Sequence, residues 1–318
     1  MVSLDTVQQT NSTIKKYGPG LAGVFVGGTS GIGEATARSF VEHATSPRVY
    51  LIGRNEAQAS KIIEELTRLN SESQIRFVKC DVSLLRRVDE ACRSIQEKEE
   101  KVNLLFMSSG IFTTKGRDET EEGLDKKLSL HYYSRMRFLT NLLPQLNAAS
   151  QVNTSEAEAG LVQEGLSSVI SILGAGGEGS LVLDDLSLKN NYSIRNCAKH
   201  AITMTSLSVE TLAKSHPSVS FVHSYPGVVS TGLMRDFNVV ARTMMRVLFT
   251  VAKPFTVPVE ESGQRHLYAA ILKAGQPHLV GWDGEPRGNQ RVLSEYREKK
   301  TGEAVWKHTL DIFNSICG

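Results

Sequence analysis

Cysteine is scarce in this 318-residue chain. Its four cysteines, Cys80, Cys92, Cys197 and Cys317, are scattered with no C-x-x-C spacing. That excludes a zinc knuckle or a disulfide framework, predicts no metal site, and fits a reducing, cytoplasmic setting. Charge of one sign is also lacking. Lys and Arg number 36 against 34 Asp and Glu, a balance of +2, so no broad attraction to nucleic acid or an anionic bilayer is expected. Long hydrophobic runs are missing too. The most apolar stretch, 237–259, is interrupted by Arg242, Arg246, Lys253, Pro254 and Pro258, too much charge and breakage for a membrane-spanning helix. The start of the chain is polar and has no apolar core of a signal peptide.

What the chain does have is alternation. From residue 21 short apolar runs (21–26, 48–52, 75–80, 102–107, 168–173, 219–224) alternate with helical patterns (34–42, 56–70, 86–101, 124–146, 197–213). Parallel strands need crossovers, and helical crossovers cover both faces of a sheet. The pattern predicts an α/β fold, a doubly wound parallel sheet of the Rossmann type with at least six strands, in one domain over 21–318 after an N-terminal extension over 1–20. Residues 147–165 have no partner in such a unit and read as a surface insertion.

The first strand and first helix are joined by Gly27, Gly28, Thr29, Ser30, Gly31, Ile32 and Gly33. In that context glycines permit a tight turn and close approach of backbone to a pyrophosphate, whose charge is met by the free N–H groups of the helix. At the end of the second strand an acidic residue would bind the ribose 2′-hydroxyl of NAD. Arg54 stands there instead, and a guanidinium suits a 2′-phosphate. Both features point to NADP(H).

The three-residue gap between Gly27 and Gly31 resembles the T-G-x-x-x-G-x-G loop of the short-chain dehydrogenase/reductase family, with Val26 where that family has Thr. The resemblance runs from about residue 21 to 231, because later landmarks follow in the family's order. Asp81-Val82 resembles the segment that holds the adenine amino group; Ser83 beside it reads equally as a cap for the next helix. Met107-Ser108-Ser109-Gly110 takes the place of N-N-A-G, whose small residues lie against the adenosine ribose. Pro226-Gly227-Val228-Val229-Ser230-Thr231 resembles the P-G-x-V-x-T turn, whose backbone and Thr hydroxyl meet the nicotinamide carboxamide.

The family's chemistry uses a Tyr, a Lys four residues later, a Ser on the preceding strand and an Asn. Ser171 matches the Ser, which would hydrogen-bond the substrate carbonyl oxygen. The Y-x-x-x-K signature is absent: Tyr192 is followed at that distance by Asn196, and Lys199 is preceded by Arg195. Placed on one helix, Tyr192 and Lys199 would lie about 10 Å apart along its axis, against about 6 Å for a four-residue step. Matching the helix over 205–213 to the family's segment puts the Tyr position near Ser193 and the Lys position near Cys197, and Tyr192 is the nearest phenol. Its ordinary pKa of about 10 needs a neighbouring cation, from Lys199, Arg195 or the cofactor, to act near neutrality; a packed tyrosine at a helix start is the competing reading. His131 occupies the Asn position, as a proton carrier or as a structural imidazole.

The stretch 131–135, Tyr192-Ser193 with His200, and the stretch 221–227 resemble a divergent subgroup common in fungal secondary-metabolite clusters. That resemblance implies a hydrophobic polycyclic, terpenoid or polyketide-like substrate. Residues 232–259, rich in Leu, Met and Phe, would lid such a substrate or form a core or dimer-contact helix. The expected function is an NADP(H)-dependent oxidoreductase interconverting a ketone and a secondary alcohol. A non-redox isomerase or cyclase on the same fold, and a non-catalytic NADP(H)-binding protein, are the alternatives. Members of this fold often pair through the two long helices after the fourth and fifth strands, which leaves a homo-oligomer open beside a monomer.

Overall fold

The computed structural model describes residues 1–151, 165–229 and 256–318. Most of the expected insertion and lid, and Thr231 of the expected nicotinamide turn, lie outside the described residues.

Seven parallel strands, β1 (Ala22–Val26), β2 (Arg48–Gly53), β3 (Gln74–Lys79), β4 (Leu104–Met107), β5 (Ser168–Ile172), β6 (Ser220–Ser224) and β7 (Pro277–Val280), lie in the order β3-β2-β1-β4-β5-β6-β7. Helices connect and cover them: α1 (Leu4–Asn11), α2 (Gly31–His43), α3 (Glu56–Leu69), α4 (Leu85–Gln96), α5 (Lys126–Leu128), α6 (Ser134–Ala149), α7 (Ile194–Ser215), α8 (Val259–Ala269), α9 (Gln290–Glu298) and α10 (Thr301–Cys317). The two-residue period of the strands divides the core. Val24, Val26, Tyr50, Ile52, Leu105 and Met107 face one helical layer, and Phe25, Val49, Leu51, Leu104 and Phe106 face the other. Because both faces are buried, these strands are apolar throughout, as fully covered parallel sheets require. Phe25 stacks at 5.8 Å on Phe40 of α2 and 5.9 Å on Phe106.

The structure adds to and corrects the sequence reading at several element ends. The fourth helix stops at Gln96 rather than 101, because Glu99 is drawn inward to accept from Arg48 Nε at 2.8 Å and from the Tyr50 hydroxyl at 2.7 Å. Ser83 does not cap that helix. Its hydroxyl donates to Asp81 at 2.7 Å, while the Glu122 carboxylate takes the first amides, Leu85 at 2.6 Å and Arg86 at 3.0 Å. The seventh strand, short and led by a proline, carries too little pattern to be read in advance.

The polar N-terminal segment is packed: Val7 and Ile14 are buried, and Asn11 Nδ2 donates to the Gln264 carbonyl of α8 at 2.9 Å. At the other end, α10 lies across α4, α6 and α7. Tyr132 donates or accepts at Thr309 Oγ1 (2.6 Å) and Ser208 Oγ (2.9 Å), and the Arg137 guanidinium sits 5.2 Å over the Phe313 ring. Of the two long helices that would pair in a homo-oligomer, α7 packs against the chain's own last helix and α6 meets it through Arg137. Replacing the buried Phe313 by Ala should lower unfolding stability by about 3 kcal/mol, measured by urea denaturation. An unchanged midpoint would show that α10 is not held on this face.

Candidate cofactor and active site

The chain runs from β1 out to β3 and returns to β4 on the other side of β1, so a crevice opens at the carboxyl ends of β1 and β4. The glycine loop lines it. Gly27 has φ +86°, and a Cβ there would stand 2.8 Å from the Ser109 amide nitrogen. A Cβ at Gly33 would stand 2.6 Å from Ser108 Oγ and closer still to the Gly27 carbonyl. Gly31 opens α2 with φ +57°. Ser30 is the extended N-cap but its side chain makes no capping bond, so the first amides of α2 have no side-chain acceptor. Ile32 packs into the core beneath the loop, and Thr29 covers Gly53 at the end of β2.

Arg54 follows immediately, exposed and without an ion pair among the described residues. Its charge reaches Asp81. Burial opposes ionisation of that carboxyl, but the Ser83 hydroxyl and amide, with Arg54 and Lys126, outweigh it and hold the pKa below the usual value. Val82 is buried beside it. On the β4 side, Ser109 Oγ is buried with no hydrogen-bond partner among the described residues, and a Cβ at Gly110 would meet the His131 ring at 2.8 Å. Further along, Gly227 (φ +73°) follows Pro226 and lies against the Trp282 ring, while Val229 forms a parallel bridge with Val257. A cradle that tolerates only glycine, an uncapped helix start, an unpaired guanidinium and an orphaned serine hydroxyl fit a dinucleotide with a 2′-phosphate.

Ser171, at the carboxyl end of β5, is 1% exposed. Its Oγ accepts from Arg135 Nη1 at 2.9 Å. Arg135 also donates to the carbonyls of Ile172 and Ser109, both at 2.6 Å, and of Leu130 at 3.2 Å. Burial alone pushes its pKa down, to about 9, so it stays charged at neutrality. It projects from a helix that begins irregularly: between α5 and α6 the residues Ser129–Tyr133 form a π turn, the kind of local widening that collects at functional sites.

His131 sits in that turn. Its Nε2 accepts the Ile111 amide at 3.2 Å. Burial, aided by Arg135 and Lys127, holds its pKa down at about 3. The imidazole is therefore neutral and acts as a bracket for the segment after β4. His223 on β6 does the same for the segment after β5. Its Nε2 accepts the Gly174 amide at 3.1 Å, which leaves the proton on Nδ1 for Ser206 Oγ at 2.8 Å; Ser206 in turn donates to Glu178 at 2.7 Å.

Tyr192 and Lys199 take no part in the hydrogen bonds of Ser171 among the described residues. Ser193 caps α7 by accepting the Asn196 amide at 3.0 Å, so Tyr192 precedes the helix and does not share a helical face with Lys199. The Tyr192 hydroxyl is enclosed by the Cys197 thiol and the Asp125 carboxylate. Burial first, then these neighbours, raise its pKa well above the ordinary value. The stem of Lys199 lies over Gly179. Sequence reasoning missed Arg135 and Lys127, whose ammonium donates to the Thr113 carbonyl at 3.0 Å. The signal was present: Lys127, His131 and Arg135 recur every four residues in an otherwise largely apolar helix.

Known proteins match the chain along its length. The family model for short chain dehydrogenase matches residues 23–169. The oxidoreductase AN1596 of Emericella nidulans is 41% identical, covering 97% of each chain. The oxidoreductase andH of Emericella variicolor is 34% identical over 100% of this chain and 98% of its own. Among solved structures, an NADPH-bound carbonyl reductase from chicken fatty liver superposes with a TM-score of 0.58 at 19% identity, over 85% of this chain and 99% of that one.

The buried imidazoles dictate an acid response. His131 and His223 are held at about 3 and His266 at about 4 in the folded chain, burial being the main cause. Unfolded imidazoles titrate near 6.5. Stability is therefore full above about pH 6.5 and is lost as pH falls toward the folded values, because the unfolded chain takes up protons first. Each ring contributes ~1.4 kcal/mol per pH unit to that slope. Replacing His131 with Asn, whose amide oxygen can accept the same N–H, should remove one such share from the slope of unfolding free energy between pH 6 and 4.5. An unaltered slope would mean that His131 titrates alike in both states.

Proposed function

The chain belongs to the short-chain dehydrogenase family, and on that footing we propose that it is an NADP(H)-dependent oxidoreductase interconverting a ketone and a secondary alcohol on a hydrophobic small molecule in secondary-metabolite biosynthesis. The observation that carries the cofactor is the crevice at β1 and β4: a glycine cradle on an uncapped helix, with the unpaired Arg54 at the end of the neighbouring strand. Gly27, Thr29, Ser30, Gly31, Ile32 and Gly33 would hold the pyrophosphate. Arg54 would hold the 2′-phosphate, Asp81 and Val82 the adenine, Ser108, Ser109 and Gly110 the adenosine ribose, and Pro226, Gly227, Val229 and Thr231 the nicotinamide end. When bound, NADP(H) supplies or takes up the hydride.

Ser171 is assigned to hold the reacting oxygen. It already accepts from Arg135, so its own O–H is left to donate outward. His131 shapes the segment beside it. Lys199 is proposed to serve the nicotinamide ribose. Tyr192 is proposed to exchange the proton: burial and its neighbours Cys197 and Asp125 raise its pKa and keep the phenol protonated, the form that donates to an alkoxide in the reducing direction. The absent Y-x-x-x-K signature favours a second reading, a non-redox isomerase or cyclase on the same fold.

The test begins with tryptophan-to-cofactor energy transfer during titration with NADPH and NADH. NADPH should bind more tightly, and replacing Arg54 with Ala should weaken NADPH by about tenfold or more, the worth of a charge-assisted bond to phosphate, while sparing NADH. Absence of binding by either would remove the oxidoreductase reading. NADPH consumption with a panel of hydrophobic ketones then separates redox from non-redox turnover. Replacing Tyr192 with Phe should lower turnover by about 10² or more, the range of a positioned general acid, and spare NADPH binding; unchanged turnover would remove the phenol from that role.

A further inference from the structure

We infer that Arg135 is a positioning residue for Ser171: its guanidinium, fixed across the carboxyl ends of β4 and β5, turns the serine hydroxyl into an outward donor and supplies the fixed positive charge that a Y-x-x-x-K lysine would supply from the next helix. In its catalytic meaning the inference rests on the oxidoreductase reading.

Arg135 is 1% exposed and has no carboxylate partner among the described residues. Its acceptors are three main-chain carbonyls, on the end of β5, the segment after β4 and the π turn, together with Ser171 Oγ. A charge taken out of water without a counter-charge is costly. No neutral side chain carries enough N–H donors for these four acceptors, and the guanidinium that does so leaves a fixed positive charge against Ser171 Oγ. Every group with a charge or a titration that faces it is basic or neutral. Lys127 and His131 precede it by two turns and one turn on the same helix run, and His223 lies on β6 in register with Ser171. The nearest acid in this network, Glu178, is reached only through His223 and Ser206.

His223 lies beside Ser171 in the strand register, and both of its ring nitrogens are committed. Nε2 accepts the Gly174 amide and the Nδ1 proton goes to Ser206. Ser171 thus receives a hydrogen bond from a cation and has no acceptor for its own proton among the described residues. An oxygen in that state donates strongly, and partial negative charge on a group bonded to it is stabilised. Arg135 is itself held below its usual pKa by burial, to about 9, and keeps its charge through the neutral range.

The field can be read without a substrate by putting a thiol at position 171. The native thiols are silent below pH 9: burial raises Cys80 and Cys197 to about 12, Cys317 to about 11 and Cys92 further. In S171C, thiolate absorbance titrated against pH should report a pKa below the ordinary value of about 8.5. Adding R135M should raise it by about one unit or more, and adding R135K, which keeps the charge, should leave it low. An identical thiol pKa with and without Arg135, or a raised value in S171C alone, would overturn the inference. Far-ultraviolet circular dichroism checks each fold. Should R135M fail to fold, S171C/R135K decides, a low value supporting the inference and a raised one overturning it. NADPH titration of the same proteins separates the two readings: a shifted thiol with no cofactor binding would refute the oxidoreductase and leave the electrostatic assignment standing.

Discussion

The backbone of Gly27 passes the backbone of Ser108 and Ser109 at a distance that no side chain would permit, a Cβ there falling 2.8 Å from an amide nitrogen. This contact sets the floor of the crevice. Ser108 donates to the Val26 carbonyl at 2.9 Å and Gly27 to the Ile52 carbonyl at 3.0 Å, so the ends of β2, β1 and β4 are locked at one level. Once they are level, the start of α2, the end of β2 with Arg54, and the segment carrying Ser109 and Gly110 open on one crevice. The close approach also forces the second glycine constraint, since Gly33 must pass under the Gly27 carbonyl for α2 to begin where it does.

Past that floor, the walls of the site are loops, and loops carry amides that no strand satisfies. Three imidazoles answer that need: His131 accepts from Ile111, His200 from Val182 at 2.9 Å, and His223 from Gly174. An imidazole offers such a lone pair only while neutral, and burial keeps these rings neutral. The histidines therefore hold the site in shape and leave its charge to other groups. Arg135 and Lys127 remain, both buried and both bonded to carbonyls.

The layering of the fold was legible because covered parallel strands must be apolar on both faces, and the runs at 48–52 and 102–107 could be little else. The glycine loop was legible for a different reason: each glycine answers a steric demand that another residue would break. Element ends were less readable. The end of α4 depended on Glu99 reaching Arg48 and Tyr50, and its start on Glu122, contacts between residues far apart in sequence. The π turn was hidden because one widened turn leaves composition unchanged while shifting the helical phase. Without the turn, the four-residue recurrence of Lys127, His131 and Arg135 reads as a surface stripe rather than a row of buried nitrogens. The placement of Tyr192 was decided by Ser193, whose role as N-cap ends the helix one residue after the phenol.

That cap also explains how the catalytic pattern is rearranged. The helical positions nearest to where the family carries Tyr and Lys hold a capping serine, Ser193, and Cys197, whose thiol burial raises to about 12 and so keeps neutral. At those two positions the helix start carries no positive charge. The preceding helix brings two, on Lys127 and Arg135, and directs the second onto the serine that the family shares. Developing negative charge on a substrate oxygen is sensitive to where a cation lies and indifferent to which helix carries it. On the proposed reading that requirement is met from the helix after the π turn, by a buried guanidinium that three carbonyls and one hydroxyl hold.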